Sequence, residues 1–429
     1  MNVRSRVPAT NRALLASSVL TLPSSWAKHI DVAAPATSHA PERDDPERGN
    51  PARDFGRDDA CPALAFAPLR GTASEVDFGV DAGSLDLASL TEDAFADLAA
   101  AVLRHQVVVV RGQEKLSPKD QFELTRRFDP LVRTYGHGNR TEILEQSVLV
   151  RDLVSIPEWP QVKLLGNGRV RDHEGIADVE LRHPSHRGAH ARPLTPEEEA
   201  RGLTHFYRWH VDAALYELHP PKVTTLLAIK VPEPRTQTIV YDDGTGDTLD
   251  APLGTTAFVS GYQAFESLSP AEQDWALRTK ARYAPHPYVW MKNARARSNG
   301  LGLKSEGREL ARSDLPPFDE EKITTLPLVW VNPMTGRRAL QLHAYAVEDL
   351  IVDGAPVGDL ATCRHMLYAI MRPAIAPSRV YTHPWRDGDL VIFNNRGLWH
   401  SVVGSLGPSD LRVYHQCNLA SSEPPLGPS

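Results

Sequence analysis

Apolar positions recur with two different periods along this chain, and the alternation between them sketches its elements. Ser89-Leu90-Thr91-Glu92-Asp93 combines a cap with an acidic first turn, and Phe95, Leu98, Ala99, Val102 and Leu103 follow at spacings of three and four. That spacing predicts a helix with one apolar face. Val107 to Val110 is an unbroken β-branched run before Arg111-Gly112 and predicts a buried strand. Ser117-Pro118 opens a second helix through Phe122, Leu124 and Phe128.

After residue 220 the apolar runs become short and strand-like. They fall at residues 223–231, 237–241, 328–331, 339–342, 390–393 and 411–414. Asn332-Pro333-Met334-Thr335-Gly336 joins two of them as a hairpin turn. Helices are inserted between the others. Ser269-Pro270-Ala271-Glu272 has the capping-box pattern, and residues 359–371 form a helical run that Pro373 ends. Residues 155–204 are polar, and the expectation there is an irregular solvated or substrate-covering loop. Its histidines, His173, His183, His186 and His190, match no metal-ligand template. No internal repeat and no βαβ alternation with a glycine-rich fingerprint occurs. The expected fold is mainly β with helical insertions, a double-stranded β-helix or jelly roll.

Composition narrows the classes. The chain has 429 residues, 41% of them hydrophobic, and a formal net charge of −7. That balance argues against nucleic acid or an anionic membrane as the main partner. No apolar run approaches a membrane-spanning length. Cys61, Cys363 and Cys417 are scattered with no C-x-x-C pair, so neither a zinc knuckle nor a disulfide framework is indicated. Residues 1–30 carry Arg4, Arg6, Arg12 and Lys28 with no acid, a composition shared with mitochondrial transit peptides. Residues 35–59 are rich in Pro, Asp, Arg and Gly. The expected organisation is a disordered leader or targeting segment over residues 1–60 and one jelly-roll domain over residues 61–425. The expected location is cytoplasmic, with a mitochondrial alternative if the leader is a transit peptide.

The chemistry centres on His210-Val211-Asp212. On a strand, residues two apart point to one face, so an imidazole and a carboxylate would project together. A metal site of the 2-His-1-carboxylate type needs that pair and one distant histidine. Taken alone the pattern is short, and a histidine satisfied within the strand is the ordinary outcome.

The rest of the chain supplies companions. Gly388-Asp389-Leu390-Val391-Ile392-Phe393-Asn394-Asn395-Arg396 followed by His400 resembles the C-terminal signature of the TauD/TfdA-like Fe(II)/2-oxoglutarate dioxygenases. Residues 101–108 resemble their N-terminal helix-strand unit, and residues 332–340 their central hairpin. The resemblance implies a jelly roll of the TauD type that uses Fe(II), 2-oxoglutarate and O2. It implies His210, Asp212 and His400 as metal ligands, and Arg412 as the partner of the 2-oxoglutarate carboxylate. Thr238 corresponds to the family's threonine at the other end of that pocket. In sulfonate-oxidising members a second arginine lies four residues beyond the first; here that position is Gln416, with Asn418 two residues on.

Residues 209–216, 242–247, 283–288 and 415–418 are similar to those of the fungal 2-oxoglutarate-dependent xanthine dioxygenases. That similarity implies oxidation of xanthine or a related purine at C8 to urate, with succinate and CO2. Gln416, Asn418 and Gln161 are the candidate substrate contacts, because amides suit a heterocycle edge. The alternatives are the same chemistry on a secondary metabolite, sulfonate or aryloxyalkanoate, and a non-catalytic jelly-roll binding module. A homo-oligomer is compatible with all of them.

Overall fold

The computed structural model describes residues 64–428, apart from 70–72, 139–142, 144, 150–153 and 305–306. The expected leader lies outside the described residues.

The architecture is a sheet-on-sheet sandwich with helices on its outside. The larger sheet has nine strands. Its centre runs Val80–Ser84, Val107–Arg111, Leu390–Asn394, Val223–Lys230, Arg412–Asn418 and Val162–His173 in spatial order. Only the pairing of Val80–Ser84 with Val107–Arg111 is parallel. Opposite it lies a three-stranded sheet of Tyr381–Thr382, Thr256–Ser260 and Leu398–Val402.

Strand alternation separates the two faces of the larger sheet. Val107, Val109, Leu226, Ala228, Val391 and Phe393 point inward, where they meet Phe258, Leu398 and Tyr381 of the smaller sheet. Val108, Val110, Leu227, Leu390 and Ile392 point outward and pack under Leu98, Ala101 and Val102 of the helix Glu92–His105. The four valines are buried on both faces, so they read as a continuous run rather than an alternating one. Farther along, Phe122 of the helix Pro118–Arg127 covers Val162, Leu164, Val413 and Cys417.

Two expectations fail. Residues 155–204 are not an irregular loop. They contain the 12-residue strand Val162–His173, which pairs with the C-terminal strand and turns into the hairpin partner Ile176–Leu181. Gly166 and Gly168 disguise it. Gly166 sits at φ +150°, and a Cβ there would lie 1.7 Å from the carbonyl oxygen of Arg412. The glycine is what lets the two backbones approach. Nor does His210-Val211-Asp212 lie in a regular strand; it is held by an isolated bridge between His210 and His400. No helix among the described residues is long and apolar enough to cross a membrane.

Candidate active site

The bridge gathers the two histidines. His210 N donates to the His400 carbonyl at 2.9 Å, and His400 N donates back to His210 at 3.0 Å. His400 belongs to the strand Leu398–Val402, opposite Phe258, so its position is set by the small sheet. The rings of His210 and His400 lie 4.1 Å apart, centroid to centroid. Asp212 is fixed by Asn395, whose Oδ1 accepts from Asp212 N at 2.8 Å while its Nδ2 donates to the Asp212 carbonyl at 2.8 Å. Thr224 donates its hydroxyl to Asp212 Oδ2 at 2.6 Å.

Asp212 Oδ1 therefore faces the cavity. His400 Nε2 lies 3.7 Å from it and His210 Nε2 3.9 Å. Ligand atoms of His210, Asp212 and His400 all lie within 4.8 Å of one another, the sole such group of three among the described residues. His210 Nδ1 sits 3.0 Å from the Arg208 carbonyl, which assigns the proton to Nδ1 and the lone pair to Nε2. Burial pushes the pKa of His400 down to about 3, with His210 adding to the shift. Metal binding requires the neutral imidazole, the form that burial favours. Burial would raise the Asp212 carboxyl, but His400, His137 and His210 outweigh it and hold the group ionised far below the usual range.

His137 was not foreseen. It lies on a loop with no motif around it, yet its Nε2 is 3.7 Å from Asp212 Oδ1. Other unforeseen wall residues are Tyr135, Arg208, Tyr288 and His343. Tyr288 belongs to the 283–288 motif, and its hydroxyl donates to the carbonyl of Ala213, beside Asp212.

Arg412 is buried at the start of the C-terminal strand and lines the same cavity. Its Nε donates to the Gly254 carbonyl at 3.1 Å, and its guanidinium stacks 3.8 Å from the centre of the Tyr414 ring. Both terminal nitrogens are buried with no hydrogen-bond partner among the described residues. An unpaired buried guanidinium is costly, and its planar fork matches a carboxylate. Thr256, on the strand Thr256–Ser260, lines the cavity with an equally unpartnered buried Oγ1. These orphaned groups fit the distal carboxylate of 2-oxoglutarate, as the triad fits Fe(II).

Thr238 is corrected. It lies on Thr236–Val240 and donates to Asp250 Oδ1 at 2.7 Å, away from the cavity wall. Residues 236–252 pair as a hairpin of their own, and the threonine on the cavity wall is Thr256. Gln416 is on the wall. Gln161 is not; it sits in the turn before Val162–His173. Asn418 is behind the wall, where its Oδ1 accepts from Gly136 N at 3.1 Å and so anchors the loop that carries His137.

A triad of two histidines and a carboxylate between the sheets of a jelly roll, with a buried arginine across the cavity, defines an iron- and 2-oxoglutarate-dependent dioxygenase. Residues 65–417 match the family described as taurine catabolism dioxygenase TauD, TfdA family, and the chain belongs to it. It is 51% identical to the alpha-ketoglutarate-dependent xanthine dioxygenase of Neurospora crassa, over 83% of this chain and 86% of that one. The corresponding enzyme of Emericella nidulans is 50% identical, covering 84% and 98%, and that of Schizosaccharomyces pombe 47%, covering 84% and 89%. Among solved structures, a taurine dioxygenase from Burkholderia xenovorans aligns with a TM-score of 0.50 at 17% identity, over 86% of this chain and 94% of that one. AAD-2 in complex with Mn(II) and N-oxalylglycine also scores 0.50, at 16% identity, covering 85% and 99%. These two support the fold.

Proposed function

We propose that this dioxygenase converts xanthine, O2 and 2-oxoglutarate to urate, succinate and CO2. The observation that carries the substrate is the 47–51% identity, over more than four-fifths of the chain, to three enzymes named for xanthine. His210, Asp212 and His400 hold Fe(II) in this reading, and the bound metal with its cosubstrate supplies the oxidising power for a C–H bond. The chain's own residues do the rest. Arg412 and Thr256 anchor the distal carboxylate of 2-oxoglutarate. Asn395 fixes the backbone of Asp212 and Thr224 its Oδ2, so that Oδ1 is the oxygen offered. Gln416 faces the purine, while Asn418 acts indirectly by holding the loop of Tyr135 and His137. We take the compartment to be the cytoplasm; a leader–reporter fusion found in mitochondria would contradict that.

The test is a coupled assay. Iron-loaded protein should form urate and succinate in equal amounts from xanthine, and little succinate without it. Faster turnover of taurine or an aryloxyacetate than of xanthine would contradict the substrate assignment.

A further inference from the structure

The cavity carries more positive charge than the metal and its cosubstrate consume. Arg412 answers one carboxylate of 2-oxoglutarate, and Asp212 with the other carboxylate answers Fe(II). Two cations then remain. Arg208 lines the cavity, stacked near Tyr207 and Tyr345, with its Nη1 toward Met291 Sδ. Lys163 is 7% exposed, and its ammonium has a hydrogen bond to Ser155 Oγ at 2.6 Å. Among the described residues neither cation is paired with a carboxylate. A buried ammonium without a counter-ion is unfavourable unless something else offsets it.

Lys163 stands beside the substrate wall. It pairs with Gln416 across the sheet, and Leu165, two residues on and on the same face, lines the cavity. Its ammonium lies 4.5 Å from the ring centre of Tyr135, which is itself part of the wall. Tyr135 donates its hydroxyl to Gln416 Oε1 at 3.3 Å. That bond engages the amide oxygen, and among the described residues the Nε2–H2 of Gln416 has no protein partner. Gln416 thus offers donors at the wall, and Lys163 adds a positive charge behind Tyr135. Such a wall favours a substrate edge that only accepts, and most of all one bearing negative charge.

We propose that the site takes its purine as the N–H-deprotonated anion, and that Lys163, acting through Tyr135 and Gln416, is the positioning residue that selects it. This rests on the reading of the substrate as xanthine, an N–H acid that ionises near neutral pH. Burial lowers the pKa of Lys163 to about 8, with Cys417 opposing the shift, and the group remains largely an ammonium at pH 7. The other titratable group against it is Tyr135, which burial holds in the neutral phenol form.

The experiment compares two competitive ligands of the Fe(II)- and 2-oxoglutarate-loaded enzyme at pH 7. One is 8-azaxanthine, an anion without a C8–H; the other is hypoxanthine, which is neutral. In Lys163→Met the inhibition constant of 8-azaxanthine should rise on the order of tenfold, through the loss of one positive charge behind the wall. That of hypoxanthine and the KM for 2-oxoglutarate should move by less than about twofold, and Lys163→Arg should restore the anion's affinity. Equal losses for both ligands, no loss for the anion, or no rescue by arginine would overturn the proposal. If Lys163→Met fails to fold, Lys163→Gln is read by the same criteria. A wild-type enzyme that binds 8-azaxanthine tightly but makes no urate would refute the proposed reaction and leave anion selection standing. One that makes urate without dependence on Lys163 would do the reverse.

Discussion

Asp212 shows how much of the site depends on residues that touch no substrate. Its Oδ2 is occupied by Thr224 at 2.6 Å, which leaves Oδ1 as the metal ligand. Thr224→Val keeps the shape and removes that hydrogen bond, so the carboxylate can rotate. Iron affinity should fall roughly 10- to 100-fold, the usual consequence of losing a partner behind a metal ligand; iron titration checks this, and an unchanged affinity would assign Thr224 to packing alone. His210→Ala, Asp212→Ala and His400→Ala should each abolish turnover with the fold retained. At the other end of the cavity, Arg412→Ala should raise the KM for 2-oxoglutarate roughly 10- to 100-fold, since hydrogen bonds to a charged group are worth ~1.5–3 kcal/mol each. Thr256→Val should raise it several-fold and Thr238→Val not at all. A response from Thr238 instead of Thr256 would reinstate the residue that the motif suggests and the geometry rejects.

At the scale of elements, the C-terminal strand Arg412–Asn418 organises the cavity, and its neighbours are shaped to admit it. Gly166 on the adjacent strand approaches the Arg412 carbonyl so closely that a methyl group has no room. Gly166→Ala should cost ~3 kcal/mol or more through steric clash and backbone strain. It should lower the melting temperature and raise the KM for 2-oxoglutarate together, because Arg412 moves with the strand. A normal melting temperature would show that the pairing relaxes freely. This strand also marks the limit of what can be read from the chain. The buried valine run, the capped helices, the hairpin at residues 332–340 and the triad were legible, because local periodicity and sequence-adjacent motifs encode them. The strand Val162–His173 was not, because its glycines serve a long-range contact and locally read as a loop. His137 and Thr256 were not legible either: one sits on a motif-free loop, and the other on a strand with no motif around it. Both reach the cavity only through tertiary pairing.

For the whole molecule, buried histidines couple stability to pH. Burial pushes His190 and His415 down to about 3, from an ordinary value of 6.5. The rings of His190 and His205 stack with centroids 5.5 Å apart, so charging one disfavours charging the other. Between those values the unfolded chain binds more protons than the folded one, so stability rises with pH there. The contribution is fully present above about pH 6.5 and is lost as the pH falls toward the folded values. Urea unfolding of the metal-free protein should therefore give a lower midpoint at pH 5 than at pH 7.5. An equal midpoint would mean that these imidazoles are solvated and not buried.

The family match over residues 65–417 contains the triad, Arg412, Thr256 and Gln416 in one sandwich, so the central claim concerns what that sandwich does with oxygen. Turnover of xanthine under ¹⁸O2, followed by mass spectrometry of both products, tests it most directly. One labelled oxygen should appear in urate and one in succinate. Urate carrying only solvent oxygen, or succinate labelled without any urate, would contradict the account.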